Sequence, residues 1–222
     1  MKKIIFILLL FSSFFGFSQN NYLQINTYFG LQPNNNPPLA RVCDPCQQRK
    51  YKFHNPEGVY FVSFAVQGWV DVFTRNVYKD ILIENLAYCQ NNKGLEIFAW
   101  CIMTNHVHLM IRAKEGYLLQ DILRDFKKFT CKAVIKAIKE NYGESRKEWL
   151  LKQLETKEGY SLWRGDNKPI ELWSNAVITQ KLNYIHQNPV EEGLVFKAED
   201  YMYSSAYDYA GGNGMLDILV ID

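Results

Sequence analysis

The sequence contains few histidines and cysteines and carries little net charge, three features that would indicate a function if they were abundant. Histidine occurs four times and cysteine five times in 222 residues, and the formal net charge is only +2. An odd, scattered set of cysteines excludes a dense disulfide framework, and so small a net charge does not by itself indicate a nucleic-acid partner. A glycine-rich loop of the kind that cradles phosphates is also missing. What remains, 48% hydrophobic and 22% charged residues, is typical of a globular domain.

Long hydrophobic runs are absent as well, except near the N-terminus. An uncharged stretch of 14 residues from Ile4 to Phe17 follows two lysines and is short for a membrane span. Residues 1–18 therefore resemble a secretory signal peptide. The alternative is an upstream extension from a misplaced start codon, and both interpretations stay open. Residues 19–49 are rich in Asn, Gln and Pro and predict a linker or arm. We expect the folded domain over residues 50–222.

The arm carries the pair Cys43 and Cys46 as a C-x-x-C motif. Such a pair can be redox-active or half of a zinc site, and His54 alone does not complete one. No second pair lies at zinc-site spacing. One hypothesis from this segment is an exported metalloprotein that uses the two cysteines and His54.

Apolar periodicity predicts the fold class. The order strand, helix, strand, strand, helix, strand, helix favours an α+β fold of ferredoxin-like character, with an antiparallel sheet and helices packed on it. The predicted elements are a strand at 58–73, a helix at 76–94, two strands or a hairpin at 95–116, a helix at 118–143 continuing to 155, a strand at 160–165, a helix at 175–193 with Ser174 as its N-cap, and a short final strand in the tail.

Two of the four histidines, His106 and His108, are one residue apart inside the apolar stretch "TNHVHLMI". Residues i and i+2 of a strand point to the same face, so both imidazoles project side by side. They are either adjacent ligands of one metal ion or hydrogen-bonded core residues. The pair alone does not decide between these possibilities.

The segment "KLNYIHQNPV" supplies possible partners for the pair. Tyr184 and Asn188 are four residues apart and share one helical face, whereas His186 lies on another face. Asn188 offers a third, oxygen ligand and Tyr184 offers a nucleophile. The alternative for Tyr184 is a half-buried aromatic side chain in a protein with 14 tyrosines.

The predicted helix at 118–143 carries six basic residues between Leu118 and Lys139, against Asp121 and Asp125. This stripe is either a solvated face or a phosphate-binding surface. Three aromatic side chains, Phe129, Trp163 and Trp173, could stack on bases or belong to the core. The candidate DNA-binding residues are Arg124, Lys127, Lys128 and Lys132.

The combination of "TNHVHLMI", a basic helix and "LNYIHQNPVEEGLV" resembles the REP-associated tyrosine transposases, relatives of the single-tyrosine transposases among the HUH endonucleases. The resemblance runs from about Lys50 to residue 220 and implies an HUH transposase domain there. It implies that His106, His108 and Asn188 bind Mg²⁺ or Mn²⁺ and that Tyr184 attacks DNA. It leaves residues 1 to about 48 unmatched.

The resemblance implies transesterification of single-stranded DNA through a 5′-phosphotyrosine, with a DNA hairpin as partner. We expect a monomer that works in the cytoplasm on nucleoid DNA, with no membrane partner for the folded domain. The signal-like segment conflicts with that location. A catalytically idle protein that only binds DNA hairpins is the alternative function.

Overall fold

The computed structural model describes residues 53–165 and 168–221. The signal-like segment, the arm, Cys43 and Cys46 lie outside these residues. Within the described residues, no helix is both long enough and apolar enough to cross a membrane. The main elements are β1 (Tyr60–Ala65), α1 (Asn76–Lys93), β2 (Leu95–Ile102), β3 (His106–Ala113), α2 (Leu119–Glu140), α3 (Lys147–Leu154), β4 (Glu155–Thr156), β5 (Gly159–Tyr160), β6 (Ile170–Glu171), α4 (Asn175–Glu191) and α5 (Ala206–Tyr209).

The central sheet has four antiparallel strands in the order β2-β3-β1-β6. β3 lies between β1 and β2, and its register places Ser63 opposite His108 and Ala65 opposite His106. The predicted α+β class, an antiparallel sheet with packed helices, is confirmed. A separate two-stranded sheet joins β4 to β5.

The two faces of the sheet carry different helices. Phe64 pairs with Val107, between the two histidines, and its ring lies 6.2 Å from that of Phe126 on α2. On the other face, the His108 ring lies 5.1 Å from that of Tyr184 on α4. Because side chains alternate along a strand, α2 and the histidine pair lie on opposite faces.

Helix α1 ends where the sequence predicts. Gly94 adopts a left-handed φ of 67°, and its backbone N–H donates to the Cys89 carbonyl as a C-cap. A Cβ at this position would also clash with the Tyr117 ring. Both the backbone conformation and the lack of space therefore require glycine. The N-cap prediction for α4 is confirmed as well, because the Ser174 hydroxyl accepts from Val177 N at 3.4 Å.

Three predicted strands differ from the structure. The first ends at Ala65, and the residues after it form two short 3-10 turns, Gln67–Trp69 and Val72–Thr74. The segment 160–165 forms only the end of β5 and one isolated bridge, between Val66 and Trp163. The tail forms the short helix α5, and no strand follows it in the described residues up to Ile221. In the first two cases hydrogen bonds to segments distant in sequence replace the ladder that local composition favours.

The chain after α4 returns to the outer edge of β2. Ile102 N donates to the Tyr203 carbonyl and Ser205 N donates to the Trp100 carbonyl, both at 2.9 Å. Further along, Leu219 N donates to the Ile97 carbonyl at 2.9 Å. The tail therefore supplies backbone partners to the edge strand at three places.

Candidate functional site

The histidine pair lies at the start of β3. The ring centroids of His106 and His108 are 4.6 Å apart, with an angle of 73° between the ring planes. His108 is only 3% exposed, whereas His106 is half-buried. Strand alternation thus brings both imidazoles to one face, as predicted.

Helix α4 crosses this face and brings Tyr184 and Asn188 to it. The Tyr184 ring lies 5.1 Å from that of His108 and 6.0 Å from that of Phe61. Tyr184 is 39% exposed, so its ring is open to solvent from one side, while Asn188 is 7% exposed. The tyrosine, the amide and both histidines are therefore together within one chain.

Several buried polar atoms at this site have no hydrogen-bond partner. Among such atoms in the described residues are both ring nitrogens of His108 and Oδ1 of Asn188. Orphaned buried polar atoms are rare because each one costs free energy. Unpartnered lone pairs on the His108 imidazole and the Asn188 amide, beside the second imidazole of His106, fit a divalent cation. The residues present are therefore compatible with the metal site predicted from sequence.

His106 is oriented by a chain of hydrogen bonds. The Asn105 Nδ2 donates to Asp71 Oδ1 at 3.0 Å and faces the Trp69 carbonyl at 3.4 Å. That amide orientation turns Asn105 Oδ1 toward His106 Nδ1, 2.7 Å away. Since an amide oxygen only accepts, Nδ1 of His106 carries the proton and Nε2 keeps its lone pair.

Both imidazoles are biased toward the neutral form that binds metal. Burial lowers the pKa of His106, and the Asn188 side chain and the Asp71 charge oppose this without reversing it. Burial, with the charges of His106 and Lys181, lowers the pKa of His108 well below its usual value. Neutral rings offer lone pairs near pH 7.

The candidate ligands, two imidazoles and one amide, include no carboxylate. In the ranges the structure covers, no three His, Cys, Asp or Glu side chains group so that they could hold a metal ion. Two imidazoles and one amide leave several positions of a divalent cation to other donors, such as water and phosphate oxygens.

Lys181 adds a positive charge beside the tyrosine. Its Nζ lies 4.9 Å from the Phe61 ring centroid and 5.5 Å from that of Tyr184. Burial lowers the pKa of Lys181. Sequence reasoning missed this residue, although it is three positions before Tyr184 and thus shares its helical face.

The four predicted DNA-binding residues lie on α2, on the opposite face of the sheet. Arg124 pairs with Asp121 at 2.6 Å and with Asp125 at 3.3 Å. Lys127 Nζ donates to the Arg164 carbonyl at 3.0 Å. Lys128 and Lys132 are exposed and line a groove of about 590 Å³ between α1 and α2. The structure therefore does not bring these residues to the histidine pair.

Two other side chains considered in the sequence lie away from the pair for clear physical reasons. His186 hydrogen-bonds Ser205 Oγ at 2.9 Å and contacts the Tyr209 ring, on the face of α4 away from Tyr184. Trp163 is 6% exposed and packs against Phe64, so it belongs to the core and not to a base-stacking surface. Phe129 and Trp173 are exposed.

Comparisons with known proteins identify what this chain is similar to. The family model described as "Transposase IS200 like" matches residues 60–180. A REP-associated tyrosine transposase solved with a REP hairpin is similar in fold, with a TM-score of 0.56 and 18% identity over 79% of this chain and 94% of that chain. A transposase structure from Deinococcus radiodurans R1 gives a TM-score of 0.40 and 20% identity over 62% and 95%. None of the curated proteins matches.

Proposed function

The chain belongs to the IS200-like transposase family, and from that premise we propose that it cuts and rejoins single-stranded DNA with Tyr184 as nucleophile. The observation that carries the proposal is the 5.1 Å between the rings of Tyr184 and His108. It places a phenol beside the unpartnered nitrogens of a buried histidine. The similarity to a hairpin-bound REP-associated transposase supports a DNA hairpin as the partner.

The proposed metal ligands are Nε2 of His106, a ring nitrogen of His108 and Oδ1 of Asn188. Mg²⁺ or Mn²⁺ held there would offset charge on the non-bridging oxygens of the scissile phosphate. Two imidazoles are unusual ligands for so hard a cation, so we expect modest affinity until substrate oxygens complete the site.

The chemical step is a transesterification at phosphorus. The Tyr184 oxygen forms a bond to phosphorus as the bond from phosphorus to the 3′ oxygen breaks. The phenol proton passes to water, and the leaving oxygen takes up a proton to become a 3′-OH. The 5′-phosphotyrosine keeps the energy of the phosphodiester, so attack by another 3′-OH reverses the step and joins strands without ATP.

Residues of this chain also favour the anionic nucleophile. The ammonium of Lys181, 5.5 Å from the Tyr184 ring centroid, attracts the charge that the phenol oxygen gains as it loses its proton. Lys181 is partly buried, so solvent screens this interaction less than on an open surface. Since one chain brings Tyr184 to its own histidine pair, the arrangement supports action as a monomer.

Covalent capture tests the proposal. The full chain is incubated with a labelled hairpin oligonucleotide carrying a single-stranded tail, with Mn²⁺ or Mg²⁺, and resolved on a denaturing gel. We expect a protein–DNA adduct that EDTA prevents and that Tyr184→Phe abolishes. Tyr142→Phe, at a fully exposed tyrosine, is the matched control and should retain the adduct.

The outcomes distinguish a DNA-cleaving transposase from a protein that only binds DNA hairpins. Binding of the hairpin without any adduct in either metal would favour the idle hairpin-binding protein and overturn the nuclease proposal. An adduct that survives Tyr184→Phe would assign the nucleophile to another residue.

A further inference from the structure

We propose that Trp69 and Arg164 form a nucleotide-binding subsite next to the histidine pair, in which a base stacks on the indole and the guanidinium binds a phosphate. This inference rests on the proposed function and adds to it a residue pair that contacts the substrate strand. Neither residue belongs to the metal site or to the basic residues of α2.

The backbone at Trp69 is the first reason. Its φ is 57°, and it is the one residue other than glycine with a positive φ in the described ranges. Left-handed backbone is unfavourable for a bulky side chain because Cβ approaches the carbonyl oxygen. Such strain persists where surrounding structure enforces it, and it concentrates at functional sites.

Packing does not account for this conformation. Trp69 is 42% exposed, so much of the indole surface faces solvent instead of the core. Gly68, directly before it, has a φ of 64° and makes the turn possible. A strained and exposed tryptophan is better explained by a ligand than by stability of the fold.

Neighbouring hydrogen bonds hold the turn in place. Val66 N donates to the Asn105 carbonyl and Gln67 N donates to the Leu162 carbonyl, both at 2.8 Å. Asn105 Nδ2 also faces the Trp69 carbonyl at 3.4 Å. The Trp69 backbone is thus fixed relative to Asn105, the residue that orients His106.

Arg164 is fixed beside the indole. Its guanidinium carbon lies 5.3 Å from the Trp69 ring centroid. Its backbone N–H donates to the Ala65 carbonyl at 2.9 Å, and its carbonyl accepts from Lys127 Nζ at 3.0 Å. Arginine both stacks on aromatic rings and binds phosphate groups through its planar set of N–H donors.

Proximity to the metal ligands identifies the occupant. The Trp69 ring centroid is 6.1 Å from that of His106. A strand whose scissile phosphate reaches His106 and Tyr184 therefore places a neighbouring nucleotide at the indole. Every base has a π face, so stacking here tolerates any sequence.

Binding measurements in the Tyr184→Phe background test the subsite without turnover. The probes are fluorescent hairpin oligonucleotides with a mixed-sequence single-stranded tail, each with one abasic position moved stepwise along the tail. We expect one abasic position to weaken binding about tenfold. Trp69→Ala should weaken binding of the intact probe about tenfold and remove the effect of that abasic position. Trp69→Phe should restore both the affinity for the intact probe and the effect of the abasic position.

Further variants distinguish ligand binding from a structural role. Trp69→Gly relieves the strained backbone, so its Tm should equal or exceed that of the parent although it binds like Trp69→Ala. Trp173→Ala, at a tryptophan that is 79% exposed, should keep the abasic effect. Arg164→Ala should reduce the salt dependence of binding by about one phosphate contact.

The failures are distinguishable from one another. If the probes bind and Trp69→Ala retains the parent's full abasic effect, the subsite is refuted while the proposed function stands. A lower Tm in Trp69→Gly together with unchanged binding would assign Trp69 to the fold. If no variant, including the parent, binds the probes, the proposed function and the subsite fail together.

Discussion

The side-chain oxygen of Asn105 lies 2.7 Å from Nδ1 of His106, one residue along the chain. The Nδ2 of the same Asn105 amide donates to Asp71 Oδ1 at 3.0 Å. The two contacts fix which ring nitrogen of His106 carries the proton and which one faces the proposed cation. Asn105, which would not touch the proposed cation, would thus decide whether His106 can bind it.

Asn105→Ala should therefore weaken Mn²⁺ binding about 10- to 100-fold, because His106 loses the partner that fixes its tautomer and ring orientation. Titration calorimetry on the DNA-free protein measures this effect. Asn92→Ala is the matched control, since the Asn92 amide bonds the Tyr88 carbonyl within α1. Equal affinity in the Asn105 variant would show that the hydrogen bond does not matter for the metal.

His108→Leu should stabilise the metal-free protein. The variant removes two buried nitrogens that lack partners, at an expected gain of about 1 kcal/mol in the free energy of unfolding in EDTA. It should also abolish any rise in Tm on adding Mn²⁺.

His186→Leu is the contrasting control for that experiment. This imidazole bonds Ser205 Oγ at 2.9 Å, so its loss should cost about 1–3 kcal/mol. If both histidine variants are destabilised to the same extent in EDTA, the unpartnered nitrogens of His108 carry no penalty.

The stability of the fold should fall in mild acid, in part through His186. Burial lowers the pKa of His186 to about 4, whereas an unfolded histidine titrates near 6.5. Between about pH 6.5 and 4 the unfolded chain binds a proton that the native state does not, so unfolding becomes easier as pH falls. The full effect is on the order of 3 kcal/mol.

Urea unfolding at pH 7, 6, 5 and 4.5 measures this slope. His186→Asn cannot titrate in this range, so its stability relative to the parent should improve steadily as the pH falls. A constant difference between the two proteins across the range would contradict the assignment.

Glu144→Gln should destabilise the protein by about 3 kcal/mol. Glu144 is 3% exposed and forms ion pairs with Arg75 at 2.7 Å and Arg146 at 3.3 Å. Burial would raise its pKa, but hydrogen bonds from Arg146 and Arg75 hold that pKa below its usual value. Removing the charge leaves both guanidinium groups without a carboxylate partner.

Thermal or urea unfolding at pH 7 measures the loss, with Glu140→Gln as control. Glu140 is exposed and its 3.9 Å contact with Lys136 is open to solvent, so this change should stay within about 0.5 kcal/mol. Similar losses in both variants would argue against a special role for the buried carboxylate.

Local periodicity was sufficient to predict which residues of the candidate site share a face. A strand period of two places His106 and His108 on one face, and a helical spacing of four does the same for Tyr184 and Asn188. That α4 covers this face, whereas α2 covers the other, depends on tertiary packing that no short segment encodes. The sequence therefore could not reveal that the basic residues of α2 lie on the far face.

The turn at 66–74 illustrates the same limit. It contains three valines, a tryptophan and a phenylalanine, which favour a strand, yet the strand ends at Ala65. The backbone N–H groups of Val66 and Gln67 find the carbonyls of Asn105 and Leu162, both distant in sequence. Local composition therefore does not predict the exposed position of Trp69 beside His106. Similarly, β6 has only two residues and is too short to be recognised from composition.

The backbone bonds from Tyr203, Ser205 and Leu219 to β2 have a consequence for handling this protein. Without them, the outermost strand would expose a row of amide and carbonyl groups that other copies could extend into a continuous ribbon. Chains shortened before residue 203 should therefore form insoluble assemblies even though every residue of the proposed catalytic centre is intact. Deletions meant to isolate that centre need to keep the returning segment.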